Sequence, residues 1–326
     1  MRIAVCNDIY SFKLASGIYV WYQHFFQMLN ELGIHDIDML VPCSEERFFS
    51  TPQIVAAYEP YRNGPIRFHF APPGLSKEES YGAYVNEYLS HYTPDLIIAT
   101  NAEECIIARW YTRGIPIAIY QHTGRHVYKD SAIIESATSF QENVHSLVIS
   151  DLAGAVLDKR GLKNSVQFQP YYAPRKAEKL GEEYMITCTG GYACKRDELS
   201  IELCERNNIP LKGLGRYPGF DLVPNDEVYL HLQRARCMVH MSTEDMVPYA
   251  FLEAAQYCNI ICDVNQMWVH GLNMYHLPVF RVDPNNSRQI AQIYEMQHIR
   301  SFDPQEHHER FIEGWREYFS GLYRTL

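Results

Sequence analysis

Nothing in the 326 residues approaches the run of roughly 20 apolar positions that a membrane-crossing helix needs. A CxxC pair is missing too. The nine cysteines, among them Cys6, Cys43, Cys105, Cys188 and Cys258, are scattered and odd in number, which argues against a zinc knuckle and against a disulfide framework. The opening residues Met1-Arg2-Ile3-Ala4-Val5-Cys6 carry no long apolar segment leading to a small-residue cleavage site. No secretory leader is therefore expected, and the cytoplasm is the natural compartment. Neither repeats nor low-complexity tracts occur. Positive charge is in deficit: 29 Lys and Arg stand against 39 Asp and Glu, a net charge of −10. Such a chain does not draw its main affinity from coating a nucleic-acid backbone, although two or three placed cations suffice to hold a phosphorylated small molecule.

What is present is the composition of an ordinary globular protein, 47% hydrophobic and 21% charged, at a length that suits two α/β domains better than one core. Residues 2–6 form a short apolar run typical of a buried parallel strand. A loop with Ser16-Gly17 follows, then apolar residues at helical spacing over 19–32, closed by Gly33 as a C′ glycine. Residues 37–41 read as the second strand of a βαβ unit. The alternation recurs with strands at 94–99, 116–120 and 146–150, a helix over 103–112, and Asp151 placed to cap the next element. The charged stretch 174–183 reads as a linker. A second series then begins at 185–188 and runs through a helix at 197–207, a strand at 235–241, a helix at 249–257 and a strand at 259–264. Near the end, Phe311, Trp315, Phe319 and Leu322 recur at helical spacing. The expected architecture is two Rossmann-like halves, each a parallel sheet covered by helices.

In parallel sheets ligands sit beyond the carboxyl ends of strands, so four loops carry the chemistry. Ser16-Gly17 opens a helix, where backbone N–H groups can approach a phosphate; the bland alternative is a simple turn. Tyr120-Gln121-His122-Thr123-Gly124 ends a strand, and His122 there can bond a sugar hydroxyl or act as a base, unless it merely satisfies a carbonyl. Arg125, His126 and Lys129 beside it are polar as well. Thr189-Gly190-Gly191-Tyr192-Ala193-Cys194-Lys195-Arg196 joins glycines that let the backbone approach a ligand to two cations that can neutralise a diphosphate. Cations at a helix start oppose the macrodipole, a local cost that favours a functional role over a solvated turn. Finally, Asp245 and Glu253 are separated by seven residues, the second inside an apolar helical stretch, and carboxylates are natural acceptors for vicinal sugar hydroxyls. The alternative is an N-cap Asp and one buried or solvated Glu.

At this last segment the sequence resembles the retaining GT-B nucleotide-sugar glycosyltransferases of the E-x7-E type, with Asp245-x7-Glu253, then Ala254-Ala255 and a return strand at 260–264. The similarity extends over most of the chain, to the Ser16-Gly17 loop, Pro94-Asp95, Pro116 before the strand leading to His122, Gly190-Gly191 with Lys195 and Arg196, and the helix that carries Trp315. It implies two domains facing across a cleft: an acceptor-side domain of residues 1–173 plus 305–326, and a donor domain of 174–304, the last helix crossing back. By the same resemblance Lys195 and Arg196 hold the donor diphosphate, Glu253 the ribose hydroxyls and Asp245 the transferred sugar, while His122 meets that sugar from the other domain. Retention of configuration, a UDP-sugar donor, no cofactor and no obligatory metal are implied as well. The lone D-x-D, Asp36-Ile37-Asp38, lies at the start of a strand, the wrong end for a metal–diphosphate site. The departures are Asp245 for the usual Glu, and Met246-Val247-Pro248 for Gly-Phe-Gly, where Pro248 removes a backbone N–H.

Tyr120-Gln121-His122 and Leu252-Glu253 are also similar to segments of bacteriophage α-glucosyltransferases that decorate hydroxymethylated cytosine in DNA. That likeness implies a modified-DNA acceptor in a host cytoplasm, phosphate contacts from Arg109, Arg113, Arg125 and Lys129, His126 near the acceptor, and a flipped-out base. A nucleotide-sugar epimerase on the same scaffold would cast His122, His126 and Asp245 as acid and base. A binding module that kept the fold and lost the chemistry is the alternative from another class. A nicotinamide-dependent oxidoreductase fits least, since no G-x-G-x-x-G follows the first strand or the one near Cys188.

Overall fold

Short aliphatic runs bounded by loops give strands buried on both faces, and the chain alternates them with helices whose apolar stripes cover those faces. The computed structural model describes residues 1–6, 17–50, 64–71, 79–100, 114–121, 143–171, 178–266 and 274–323, together with Val55, Tyr58, Tyr61 and Gly271. The chain divides into two compact units: residues 1–149, 153–170 and 314–326 form the first, and residues 150–152 and 171–313 the second.

The first unit carries β1 (Arg2–Cys6), α1 (Gly17–Glu31), β2 (Asp36–Val41), α2 (Glu45–Phe48), β3 (Ile66–Phe70), α3 (Glu79–His91), β4 (Leu96–Ala99), β5 (Ile117–Gln121), β6 (Val144–Val148), α4 (Asp151–Asp158) and β7 (Asn164–Val166). Its strands pair in parallel in the order β3-β2-β1-β4-β5-β6-β7, so the order reverses between β1 and β4. Gly33 ends α1 as expected: at φ +72 it takes the left-handed conformation, and Ile34 N–H reaches back to the Leu29 carbonyl at 2.8 Å. The strand expected at 146–150 is found two residues earlier. The polar His145 disguised its start; it lies inside β6, 4% exposed, and bonds the Tyr318 hydroxyl.

The second unit carries β8 (Tyr184–Thr189), α5 (Asp197–Arg206), β9 (Leu211–Gly215), α6 (Asn225–Arg234), β10 (Ala235–His240), α7 (Tyr249–Ala255), β11 (Asn259–Asp263), β12 (Val279–Val282) and α8 (Ser287–Glu295). Its parallel sheet runs β12-β11-β10-β8-β9 over a core of Met185, Leu203, Cys237, Val239, Ile261 and Ile290. Gly215 closes β9 at φ +121, and a Cβ there would lie 1.9 Å from the Thr189 carbonyl oxygen, so only glycine lets β8 and β9 finish side by side. The second half of the expected linker is no linker. Leu180 N–H and Glu183 N–H bond the carbonyls of Gln233 and Arg234 at 2.9 Å, and Lys179 Nζ reaches those of Ala235 and Tyr257. Extended backbone in that segment found acceptors at the α6–β10 junction, and a charged lysine satisfied two more.

The last helix, α9 (Pro304–Tyr323), begins seven residues before Phe311, the first residue of the expected apolar pattern. Asp303 Oδ1 accepts from Gln305 N–H at 2.9 Å and Glu306 N–H at 3.2 Å, and Pro304 fills the first helical position. Its closing residues from Gly314 belong to the first unit. There Trp315, wholly buried, meets Phe25 with ring centroids 5.2 Å apart and lies parallel to Tyr120. No described helix is long and apolar enough to cross a membrane.

Candidate functional site

In the second sheet the chain leaves β8 towards β9 on one side and returns through β10, β11 and β12 on the other. The switch of direction falls between β8 and β10, and a crevice at their carboxyl ends is where an open parallel sheet binds ligands. The loop after β8 is shaped by Thr189, whose hydroxyl accepts from Gly191 N–H at 3.1 Å and donates to Asp197 at 2.9 Å. Gly191 sits at φ +71, and a Cβ on it would come within 3.0 Å of the Arg216 backbone. A 3-10 turn, Ala193–Lys195, leads to Arg196 at φ +53, after which α5 begins. A non-glycine residue held left-handed costs about 1 kcal/mol or more, and the turn it makes lets adjacent side chains serve different partners.

Lys195 Nζ bonds Asp245 Oδ2 at 2.5 Å, and Arg196 Nη1 bonds Asp263 Oδ2 at 2.5 Å. Asp245 lies just past β10, and Asp263 is the last residue of β11, so three neighbouring strands deliver the four charges. Asp245 Oδ2 also meets His240 Nε2 at 2.8 Å, while Oδ1 carries none of the described bonds. The Asp245 carbonyl accepts from Gln266 Nε2 at 2.5 Å, and Thr243 N–H bonds the Cys194 carbonyl at 3.0 Å, tying the two loops together. Asp263 Oδ1 is held by the backbone and side-chain N–H groups of Asn265 at 2.8 and 3.0 Å. Burial alone would raise the Asp245 carboxyl, but the Lys195 ammonium and the His240 hydrogen bond outweigh it and hold the acid well below the ordinary carboxylate range. Asp197 is pushed the other way, chiefly by burial against weaker help from Thr189.

Met246 and Val247 are 1% and 2% exposed, so the departure Met246-Val247-Pro248 makes a buried apolar entry to α7, with Pro248 as N-cap. Glu253 lies on the second turn of α7, 8% exposed, and accepts from the Tyr229 hydroxyl at 3.2 Å. Near it Gln256 Nε2 donates to Tyr171, whose phenol burial and the Glu253 charge push upward.

Of the residues singled out in the sequence, Gly190, Gly191, Lys195, Arg196 and Asp245 are gathered at this switch point, and Glu253 stands on the adjoining helix. Gly17 is the first residue of α1 in the other unit. Ser16, His122, Arg125, His126 and Lys129, with Arg109 and Arg113, lie outside the described residues. Beside them Gln121 closes β5 wholly buried, its amide without a partner among the described residues. Missed from the sequence were His240, Asp263 and Gln266, while Thr189 is singled out within its loop without a role of its own. A signal existed for two: His240 and Asp263 each put a polar side chain at the last position of a strand, directly after three apolar residues, Cys237-Met238-Val239 and Ile260-Ile261-Cys262.

No protein-family model and no curated protein sequence matches the chain. Solved structures do. The Anabaena protein Alr3699/HepE, solved in complex with UDP and glucose, is 12% identical with a TM-score of 0.68, each chain covered in full. Sucrose-phosphate synthase from Thermosynechococcus elongatus is 12% identical at 0.67, again over the whole of both chains. A putative UDP-N-acetylglucosamine 2-epimerase from Listeria monocytogenes is 8% identical at 0.60, over 98% of this chain and 96% of its own. Full-length superposition at such low identity, with parallel sheets of seven and five strands, shows that the chain has the GT-B fold, two Rossmann-like units in one polypeptide.

Proposed function

We propose that this protein is a glycosyltransferase that takes a sugar from a nucleoside-diphosphate sugar, a UDP-sugar first among donors, and passes it to an acceptor hydroxyl with retention of configuration. The observation that carries the reading is the convergence of Lys195, Arg196 and Asp245 at the strand-order switch of the second sheet. Lys195 and Arg196 neutralise the diphosphate, whose charge grows as the glycosidic bond breaks, so their attraction is strongest in the transition state. Gly190 and Gly191 let the backbone come close, and Asp245 Oδ1 accepts a hydroxyl of the transferred sugar. Glu253 serves the ribose hydroxyls; Ser16 and Gly17 add a second phosphate contact. His122 meets the sugar, and Arg125, His126 and Lys129 hold the acceptor, a hydroxymethylated base in DNA being one acceptor to test. The Anabaena neighbour was solved with UDP, which supports a uridine nucleotide. The Listeria neighbour supports the second reading, epimerisation on the same scaffold.

Melting curves with UDP, GDP, ADP, UDP-glucose and NAD test the donor site. A ligand at about 100 times its Kd adds roughly 2.7 kcal/mol of stability. The expected result is stabilisation by one nucleoside diphosphate and its sugar, lost in Lys195→Ala. Stabilisation by none of them, or by NAD alone, sinks the reading. Product analysis then separates the classes: a transferase needs an acceptor, an epimerase converts the sugar without one, and a binding module releases no nucleotide.

A further inference from the structure

His240 ends β10 beneath the candidate site and is 3% exposed. Its ring is wedged edge-on against Phe251 of α7, centroids 5.2 Å apart, and its Nε2 points at Asp245 Oδ2. That same oxygen carries the Lys195 ammonium. The charged groups facing the imidazole are Asp245 and Lys195, from the loops after β10 and β8, and Asp197 at the start of α5. With a neutral imidazole donating from Nε2, the trio of Lys195, Asp245 and His240 sums to zero charge, which is the arrangement a mostly buried cluster favours.

A diphosphate breaks that balance. It competes for Lys195, and every step that Lys195 takes towards a phosphate leaves Asp245 more nearly a bare buried carboxylate beside an incoming anion. Two like charges at that spacing repel strongly in a low-dielectric site. One group is within reach to restore neutrality. We propose that His240 is a positioning residue of the donor site: it holds Asp245 in place, and it takes up a proton as the diphosphate draws Lys195 away. The proton comes from solvent and is carried on Nδ1, Nε2–H stays on Asp245 Oδ2, Lys195 keeps its own proton, and no covalent bond between heavy atoms changes. The bound state then holds a Lys195–phosphate pair and an Asp245–imidazolium pair in place of one shared trio. Asp245 stays ionised throughout, its Oδ1 aimed at the sugar rather than swinging after the lysine. The inference rests on the donor reading above and adds to it the residue that makes an Asp–Lys pair compatible with an anionic ligand.

Calorimetry on the intact wild-type chain tests it, with UDP-glucose as the probe because its diphosphate has no terminal phosphate titrating near a pKa of about 6. Titrations at one pH in phosphate and in Tris, buffers of very different ionisation heat, give the protons taken up on binding. The expected result is net proton uptake on binding, with Kd weakening as pH rises by at most about tenfold per pH unit, the limit for one proton. In His240→Gln, whose amide N–H can take the place of Nε2–H but cannot accept a proton, binding is expected to persist with no uptake and a flat pH profile. Absence of UDP-glucose binding to the wild type overturns the donor site and this inference with it. Binding with equal heats in both buffers overturns the role of His240 alone, as does uptake that survives in His240→Gln.

Discussion

Asp38 has no exposed surface, yet it is ionised. Its Oδ1 receives Arg67 Nε at 2.7 Å and His69 Nε2 at 2.8 Å, and its Oδ2 the Tyr88 hydroxyl at 2.6 Å. Burial pushes the carboxyl up, but the His69, Arg67 and Tyr88 bonds outweigh it and leave the acid far below its ordinary value. A group with a depressed folded pKa gives stability that is present above its unfolded pKa of about 3.9 and is lost as pH falls from there towards the folded value. Asp38→Asn is therefore expected to cost about 2 kcal/mol at pH 7, the half-exposed Arg67 limiting the loss, and to flatten the acid limb of the stability curve. Urea melts from pH 7 down to pH 3 read both effects; a variant as acid-sensitive as the wild type would assign the acid limb to other carboxylates. In Asp36-Ile37-Asp38 both carboxylates are engaged by Arg67 and Arg2 at the start of β2.

Among the elements, α9 separates most clearly what burial stabilises from what the pattern alone can show. Trp315 contacts Phe25, Tyr120, Tyr318 and Phe319, and Trp21 stacks on Phe25 at 4.5 Å, so the helix end completes the aromatic core of the first unit. Trp315→Ala is expected to lower stability by about 3–5 kcal/mol, read as a fall in the melting midpoint, with Trp315→Phe recovering a good part of it. The apolar spacing of that helix is legible in the sequence, as are β1, β8, β10 and β11, because fully buried parallel strands write themselves as continuous apolar runs. The strands β3, β9 and β12 are not. IRFHF, LKGLG and VFRV mix buried positions with half-buried or exposed ones, β3 at an edge of the first sheet and β12 and β9 at the two edges of the second, so no clean apolar run marks them. The candidate site is half legible for a similar reason. Lys195, Arg196 and Asp245 stand out as charges near glycines and turns, whereas His240 and Asp263 act from strand ends that local sequence assigns to the core.

For the whole molecule the net charge of −10 sets a limit on partners. Plain duplex DNA is expected to bind no tighter than about 10⁻⁴ M at physiological salt, the weak end of non-specific association. Fluorescence anisotropy with an unmodified duplex checks this, and micromolar binding would show a basic surface that outweighs the overall charge. If hydroxymethylated DNA is the acceptor, its recognition then has to come from the base and its immediate phosphates. The thiols add a different kind of consequence. Cys204, Cys258 and Cys262 are buried and raised to about 12, and Cys188 and Cys237 are pushed up as well, all by burial first. Cys194 is only partly covered and stands next to Lys195, whose charge offsets part of its own rise. Towards a soluble maleimide the second unit thus carries two clocks: a fast one at Cys194 that a phosphate held by Lys195 would slow, and a slow set at the buried Cys204, Cys237, Cys258 and Cys262 that runs only when the sheet itself opens.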